Sequence, residues 1–259
     1  MGDIAINMNN SVERAFKIIE VMAKSDGPCE LKAIAKQTEL PASTAYRFLQ
    51  SLMKLQYVKQ DENQRYFLTF KVVELANHVR RQSNLITIGQ PHLKELSLKC
   101  GESAFMAVEE NMTALYVCSI EGPALTVKTF QRIGHQAPLH GTGVGKILLS
   151  DMTDEEIKRY AETTGLKKYT EKTITSLNGL LAEINKIRKQ GYAIDDEECE
   201  LGAKCVAAPV RDYTGKIVAA ISASGPTVRI TDEKCAEMIK ATIETANQIS
   251  KSLGYNNIM

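Results

Sequence analysis

The chain has 259 residues, of which 44% are hydrophobic and 24% are charged, and its formal net charge at pH 7 is +1. This length predicts one or two domains, of which we favour two, with the composition of an ordinary soluble globular protein. The near-zero net charge neither supports nor excludes nucleic acid as a partner, because a local basic patch can lie within a neutral total.

Targeting and redox signals point to the cytoplasm. The N-terminal residues MGDIAINMNNSVERAF lack the basic and apolar segments of a secretion signal, and no run reaches the roughly 18 apolar positions of a membrane helix. We therefore expect a cytoplasmic protein with no membrane partner.

Six scattered cysteines form no CxxC motif, so reduced thiols are expected. We predict no cofactor and no metal, since Cys199 and Cys205 lack zinc-type spacing, although His135 and His140 are candidates to approach them.

Three short amphipathic helices and two strands are predicted in the first 70 residues. Ser11–Ala23 follows a serine cap, and Leu31–Thr38 comes after a turn that contains Gly27 and Pro28. The third helix covers LPASTAYRFLQSL at residues 40–52, with Pro41 at its first helical position. Strands at 57–60 and 65–68 surround a polar turn. This order predicts a helix-turn-helix followed by a wing.

The third helix has an apolar face and an opposite polar face. Ala45, Phe48, Leu49 and Leu52 recur at helical spacing, which leaves Arg47 and small polar residues outside. An outward arginine beside hydroxyl groups suits phosphates and base edges. Between residues 41 and 81 there are seven Lys or Arg against three acids. The pattern alone leaves three readings open, namely DNA binding, a bare packing module and a protein-binding helix-turn-helix.

The DNA-binding reading assigns specific residues. Arg47 is expected to be the main contact to a base or a phosphate, with Ser43, Thr44, Tyr46 and Gln50 around it. Arg65 of the wing and Arg14 at the start of the first helix are expected to lie near the phosphate backbone. Most such contacts position the protein on DNA, and few specify the sequence.

Beyond residue 69 the sequence predicts a linker helix and then a domain of short strands. The linker helix covers Phe70–Gln82, with an apolar side and Arg80 and Arg81 at its end. Hairpins beside segregated helices predict an antiparallel α+β domain. Its strands are predicted at 103–109, 113–121, 125–131, 192–195, 204–211 and 217–224, and its helices at 144–149, 154–162, 177–190 and 231–253.

Two motifs in this second part attract attention. The run HGTGVGK at 140–146 is not a P-loop, because His140 occupies the first glycine position and Ile147 stands where Ser or Thr should bind magnesium. No apolar strand precedes it, so it is not a dinucleotide fingerprint. A plain tight turn and helix-end amides that favour a small anion both remain open. The acid run at 195–198, DDEE, is by composition a solvated loop.

Six segments, spread over nearly the whole chain, carry a family resemblance. The N-terminal ones are SVERAFKIIEVMA, LKAIAKQTELPASTAYRFLQSLMKLQYV and RYFLT, and the later ones are PLHGTGVGKILL, GYAIDDEECELGAKCVAAPVRD and AAISASGPTVRI. They resemble, in the right order, the DNA-binding and effector-binding domains of the isocitrate-lyase-regulator (IclR) family of bacterial transcription factors. The resemblance implies a GAF-like second domain and a linker helix that helps to pair subunits.

The resemblance also implies an effector site. In the family this site is built from the glycine-turn amides, the first acid of the run, the cysteine ten residues later and two serines of the final strand. These fall here on Gly143, Val144, Asp195, Cys205, Ser222 and Ser224. The two serines are two positions apart, so they point to the same face of a strand. Val144 is bulkier than the small residue of some relatives. The implied effector is a small oxoacid or sugar acid.

The sequence thus predicts an α+β protein with a winged helix-turn-helix at 1–69, a linker helix at 70–83 and a GAF-like effector-binding and oligomerisation domain at 84–259. The expected partners are a pseudo-palindromic double-stranded DNA operator, the effector, and further copies as a homodimer or a dimer of dimers. Reading helices about 34 Å apart would match successive major-groove faces. Two alternatives stay open: a small-molecule enzyme, which lacks a recognisable triad or metal set here, and a protein-interaction adaptor.

Overall fold

The computed structural model describes residues 10–75, 85–123 and 132–256. The contacts divide the chain into two compact units, Met1–Ser83 and Asn84–Met259. Across the described residues, no helix is long and apolar enough to cross a membrane. The predicted domain boundaries at residues 69 and 83 stay predictions.

The N-terminal unit contains three helices and a two-stranded hairpin, as predicted. The helices are α1 (Asn10–Ala23), α2 (Leu31–Thr38) and α3 (Ala42–Lys54), and the antiparallel strands are β1 (Val58–Gln60) and β2 (Tyr66–Leu68). Their apolar faces meet in one small core. That core consists of Ile18, Met22, Ile34, Leu49, Leu52, Val58 and Tyr66.

Two details of helix capping differ from the prediction. Ser11 lies inside α1, which begins one residue earlier, so it does not precede the helix as a cap. Pro41 is the N-cap residue of α3 with ψ 140°, an extended conformation, and so it lies just before the first helical residue. No side chain caps α3 there, because proline offers no acceptor beyond its carbonyl. That carbonyl accepts the amides of Thr44 and Ala45 at 2.9 and 3.0 Å.

Two predicted elements lie partly or wholly outside the described residues. Residues 71–75 of the linker are helical, and the remainder of the predicted linker helix, up to residue 83, is not described. The predicted strand at 125–131 is not described either.

The C-terminal unit is built on a six-stranded antiparallel sheet, which confirms the predicted α+β class. The strand order is β5-β4-β3-β8-β7-β6. Five strands agree with predictions to within two residues at either end, and the three-residue β5 was not predicted. The strands are β3 (Ser103–Glu110), β4 (Thr113–Ile120), β5 (Gln136–Pro138), β6 (Ala193–Asp196), β7 (Ala203–Arg211) and β8 (Ile217–Pro226).

Helices cover both faces of this sheet. The first face packs against α5 (Gly143–Leu149), α6 (Asp154–Thr164) and α7 (Leu177–Gln190), and the second against α4 (Leu85–Cys100) and α8 (Asp232–Ser252). Helix α4 was not predicted, and the proline inside it, Pro91, is a residue type that normally interrupts helices. Because side chains alternate along a strand, β8 sends Ser222 and Ser224 to the first face and Ile221 to the second.

Candidate DNA-binding and effector sites

The exposed face of α3 carries the residues predicted to read DNA. Ala45, Leu49 and Leu52 are buried, whereas Ser43, Tyr46, Arg47 and Gln50 are exposed and Thr44 is half-buried. Within residues 10–75, the Arg47 guanidinium takes part in no ion pair, so its charge is available to a phosphate or a guanine.

The two outlying arginines differ in their surroundings. Arg65 is held by Asp61 across the hairpin turn, with Nε to Oδ2 at 2.9 Å and Nη2 to Oδ2 at 2.8 Å. Backbone and side-chain hydrogen bonds from Arg65 lower the pKa of Asp61. The wing thus orients the Arg65 guanidinium but neutralises part of its charge. Arg14 is exposed on α1.

The structure brings the predicted effector residues of three strands together. Asp195 of β6 lies directly opposite Cys205 of β7, which lies opposite Ser224 of β8, while Ser222 lies opposite Ala207. Directly opposite residues of an antiparallel sheet share a face, and here they share the face that α5 covers. We call Gly143, Asp195, Cys205, Ser222 and Ser224 the effector cradle. Their role in binding an effector stays a prediction.

The glycine turn before α5 packs closely against β7 because its glycines have no Cβ atom. A Cβ atom on Gly143 would lie 2.8 Å from the Cys205 sulfur and 3.3 Å from the Ala207 Cβ, so only glycine lets α5 approach β7 this closely. A Cβ on Gly145 would lie 2.4 Å from the Leu139 carbonyl oxygen. The Thr142 hydroxyl accepts the Gly145 amide at 3.2 Å. The Val144 side chain is buried in the core, so only its backbone can face a ligand.

Burial controls protonation in the cradle. Asp195 is 9% exposed, and burial raises the pKa of its carboxyl to about 7. The Glu198 amide donates a hydrogen bond to Oδ1 at 2.8 Å, which lowers this pKa and offsets part of the rise. Burial, followed by the nearby Asp195, raises the pKa of the Cys205 thiol to about 12, although the Gly143 amide and the Ser224 hydroxyl lower it. The thiol is therefore neutral at physiological pH.

The acid run is not a uniformly solvated loop, so the compositional expectation was wrong for two of its four members. Asp195 is buried, and Glu198 forms an ion pair at 2.5 Å with Lys146, a residue of α5 with no exposed surface. Lys146 also donates to the Ile194 carbonyl at 2.7 Å. The two middle acids, Asp196 and Glu197, face outward, and both form ion pairs with Lys172.

Sequence reasoning missed Tyr116, which lies on the same face of the sheet. This residue of β4 is 5% exposed, and its pKa is raised first by burial and then by Cys205, Asp195 and Cys199. Tyr116 lies on the face of the sheet that carries the cradle, across β3 from β8. Alternation along β4 predicts an inward side chain at this position, but it does not reveal which buried groups lie opposite.

The histidines considered as metal ligands have other partners. His135 stacks on Tyr116 with ring centroids 6.3 Å apart. The His140 ring lies 2.7 Å from the Tyr160 hydroxyl through Nδ1 and 3.0 Å from the Lys167 carbonyl through Nε2. Over the ranges that the structure describes, no three His, Cys, Asp or Glu side chains are placed to hold a metal.

Comparison with known proteins finds matches along both units. The family model of the IclR helix-turn-helix domain matches residues 11–62, and that of the bacterial transcriptional regulator IclR C-terminal matches residues 77–251. The HTH-type transcriptional regulator KdgR of Escherichia coli (strain K12) is 32% identical over 249 residues, 96% of this chain and 94% of KdgR. The HTH-type transcriptional repressor AllR of Salmonella typhi is 30% identical over 245 residues, 94% of this chain and 90% of AllR.

Solved structures agree with these matches. The Thermotoga maritima IclR is 32% identical with a TM-score of 0.63, over 95% of this chain and 99% of that protein. The Agobacterium tumefaciens repressor BlcR is 25% identical with a TM-score of 0.80, over 95% of this chain and 97% of BlcR. With both family models matched and a relative that is 32% identical over 96% of this chain, the protein belongs to the IclR family of bacterial transcriptional regulators.

Proposed function

We propose that this transcriptional regulator binds a small carboxylate, either an oxoacid or a sugar acid, in the effector cradle, and that the bound acid changes its affinity for DNA. The observation that carries the proposal is the buried polar row formed by Asp195, Cys205 and Ser224 on three adjacent strands. A few polar groups placed side by side within an otherwise apolar lining are typical of a small-molecule site, so this row supports a ligand-binding role.

The cradle offers hydrogen bonds without a fixed positive charge. Ser222 is 2% exposed, and its hydroxyl forms no hydrogen bond to any other described residue. A protonated Asp195 is a donor to a carboxylate, and the Cys205 thiol is neutral because its pKa is about 12. This lining suits an acid that brings one negative charge and further oxygen atoms.

The alternative function is a small-molecule enzyme on this domain, and the same pKa argues against the form of it that would use Cys205 as a nucleophile. A cysteine acts as a nucleophile only as the thiolate. The high pKa of Cys205 leaves almost no thiolate at neutral pH, so this residue fits ligand packing better than covalent catalysis.

For DNA, we propose that α3 enters the major groove with Arg47, Ser43, Tyr46 and Gln50 towards the bases and Thr44 at its margin. The exposure of this face supports that orientation. Arg14 and Arg65 would contact phosphates and position the protein on the duplex. A homodimer or a dimer of dimers would place two such helices on a pseudo-palindromic operator.

Regulation then follows from differential affinity. The acid shifts the operator equilibrium only if the DNA-binding arrangement of the protein has a higher or lower affinity for it than the alternative arrangement. Effector couplings of this kind typically change affinity by about 5-fold to 150-fold.

The test is a fluorescence anisotropy titration on DNA from upstream of the protein's own gene, with pyruvate or gluconate added. We expect at least one acid to change the operator affinity by about 5-fold or more. Ser222→Ala should reduce this response, and Ser252→Ala, which removes an exposed hydroxyl bonded only to the Gln248 carbonyl, should not. Operator binding that responds to neither acid would contradict the effector part and leave the DNA-binding part standing.

A further inference from the structure

Tyr116 is a largely buried residue whose phenol hydroxyl has no hydrogen-bond partner within the described chain. The residue is 5% exposed, and its hydroxyl forms no hydrogen bond to any other described residue. Burial raises the pKa of this phenol, so it keeps its proton at physiological pH and remains a donor. Buried phenols usually have a hydrogen-bond partner.

Neighbouring rings hold the Tyr116 side chain in place. Its ring meets the Phe105 ring edge-on with centroids 5.8 Å apart and an interplanar angle of 73°, and it stacks on His135. Packing on two aromatic neighbours restricts the ring and therefore the direction of the hydroxyl. A fixed donor is suited to discrimination between ligands, because little entropy is lost when it binds.

The strand register places Tyr116 on the same face of the sheet as the cradle. Tyr116 lies opposite Ala107 of β3, which lies opposite Ala220 of β8, on the face that also carries Ser222. Two short alanine side chains leave space for the phenol to extend across β3. The influence of Asp195, Cys205 and Cys199 on its pKa agrees with this direction.

We propose that Tyr116 is a specificity-determining residue of the effector site, where its hydroxyl donates a hydrogen bond to an oxo or hydroxyl oxygen of the acid beyond the carboxylate. This inference rests on the proposed function of the cradle. A site with a buried donor rejects an analogue that lacks the acceptor, because the donor is then left unpaired. Tyr116 would thus select oxygenated acids over plain carboxylic acids of the same length.

The test uses the full-length protein, calorimetric titration and two matched pairs of acids, gluconate with hexanoate and pyruvate with propionate. Wild type should bind the oxygenated member of at least one pair at least about tenfold more tightly than its plain partner. Tyr116→Phe keeps the ring and should weaken binding of that oxygenated acid about tenfold, with little change for the plain one. If Tyr116→Phe only disturbed the structure of the site, it would weaken the binding of both acids of the pair equally.

Two controls sharpen the result. Tyr213→Phe removes an exposed phenol in the β7–β8 turn and should leave both affinities unchanged. The chain has nine tyrosines and no tryptophan, so an acid-induced ultraviolet difference spectrum reports tyrosines. That spectrum should be lost in Tyr116→Phe and kept in Tyr213→Phe.

The possible failures are distinguishable. Equal binding of both members of each pair by wild type, or unchanged gluconate and pyruvate affinities in Tyr116→Phe, would overturn the role of Tyr116 and leave the effector cradle standing. Binding of none of the four acids by wild type would overturn the proposed effector class and this inference together.

Discussion

At the scale of single residues, the surroundings rather than the residue type decide the chemistry of the acid run. Asp195 and Asp196 are neighbours in the sequence, yet the first lies under α5 and the second forms an ion pair with Lys172. Glu198 turns inward to the buried Lys146. Removal of one partner of a buried ion pair strongly destabilises the folded protein, because the remaining buried charge has no compensation.

Asp195 should make the stability of the C-terminal unit depend on pH. Its pKa rises from an ordinary 3.8 in the unfolded chain to about 7 in the fold, because burial disfavours the charged carboxylate. The folded state therefore holds a proton that the unfolded state loses, and stability falls as pH rises from about 4 to about 7. Asp195→Asn removes this loss, so the variant should be more stable than wild type above about pH 7, by on the order of 4 kcal/mol.

Urea denaturation at a series of pH values measures this difference. The asparagine side chain can still accept the Glu198 amide, so the loop should be preserved. Asp196→Asn, at a half-buried neighbour that pairs with Lys172 and Lys204, serves as the matched control and should not show the same pH dependence. An Asp195→Asn advantage that is the same at about pH 4.5 and about pH 8 would contradict a raised pKa.

At the scale of elements, α3 combines an anchored face and a free face in one helix. Arg47→Ala should cost about 1–3 kcal/mol of operator binding if the guanidinium reads a guanine, and the specificity at that base pair should relax. If Arg47 contacts only phosphate, the affinity for all DNA sequences should fall equally. Competition between operator and unrelated DNA in anisotropy titrations separates the two results. Lys172→Ala, in the other unit, provides a charge-matched control, and unchanged affinity of Arg47→Ala would remove this residue from the interface.

The glycine turn before α5 is the second element with a specific steric requirement. Gly143→Ala should destabilise the C-terminal unit by about 1–3 kcal/mol, because its Cβ would lie 2.8 Å from the Cys205 sulfur. Cys205→Ala in the same chain should recover part of that loss, which a double-mutant cycle in urea measures. Gly27→Ala, with no atom within 4 Å of its Cβ, is the control. If the stability losses of Gly143→Ala and Cys205→Ala are fully additive, α5 moves away from β7 instead of clashing with the Cys205 sulfur.

At the scale of the whole molecule, the proposed function requires that two copies of α3 bind one operator. Insertion of about 5 base pairs between the half-sites turns one of them to the opposite side of the duplex. The operator affinity should then fall by at least about tenfold, since only one half-site can be bound at a time. Gel-shift titration of the two operators checks this, with an equal number of base pairs inserted outside the half-sites as control. Equal affinities would indicate independent monomers.

Much of the fold follows from local patterns in the sequence. Apolar residues at helical spacing predicted α2 and α7 to the residue, and alternation predicted five strands of the sheet within two residues at either end. Helix α4 was missed because Pro91 and a weak apolar stripe conceal it. Strand β5 was missed because three residues carry too little alternation.

The sequence by itself determined the order of elements, the exposed polar face of α3 and the positions of the residues that resemble an effector site, because these depend on spacing along one chain. Only the tertiary structure decided that Asp195 is buried beside Cys205, that Lys146 pairs with Glu198, and that Tyr116 lies on the same face of the sheet as the cradle. These properties depend on burial and on contacts between residues 10 to 89 positions apart, and those contacts form only when the sheet assembles.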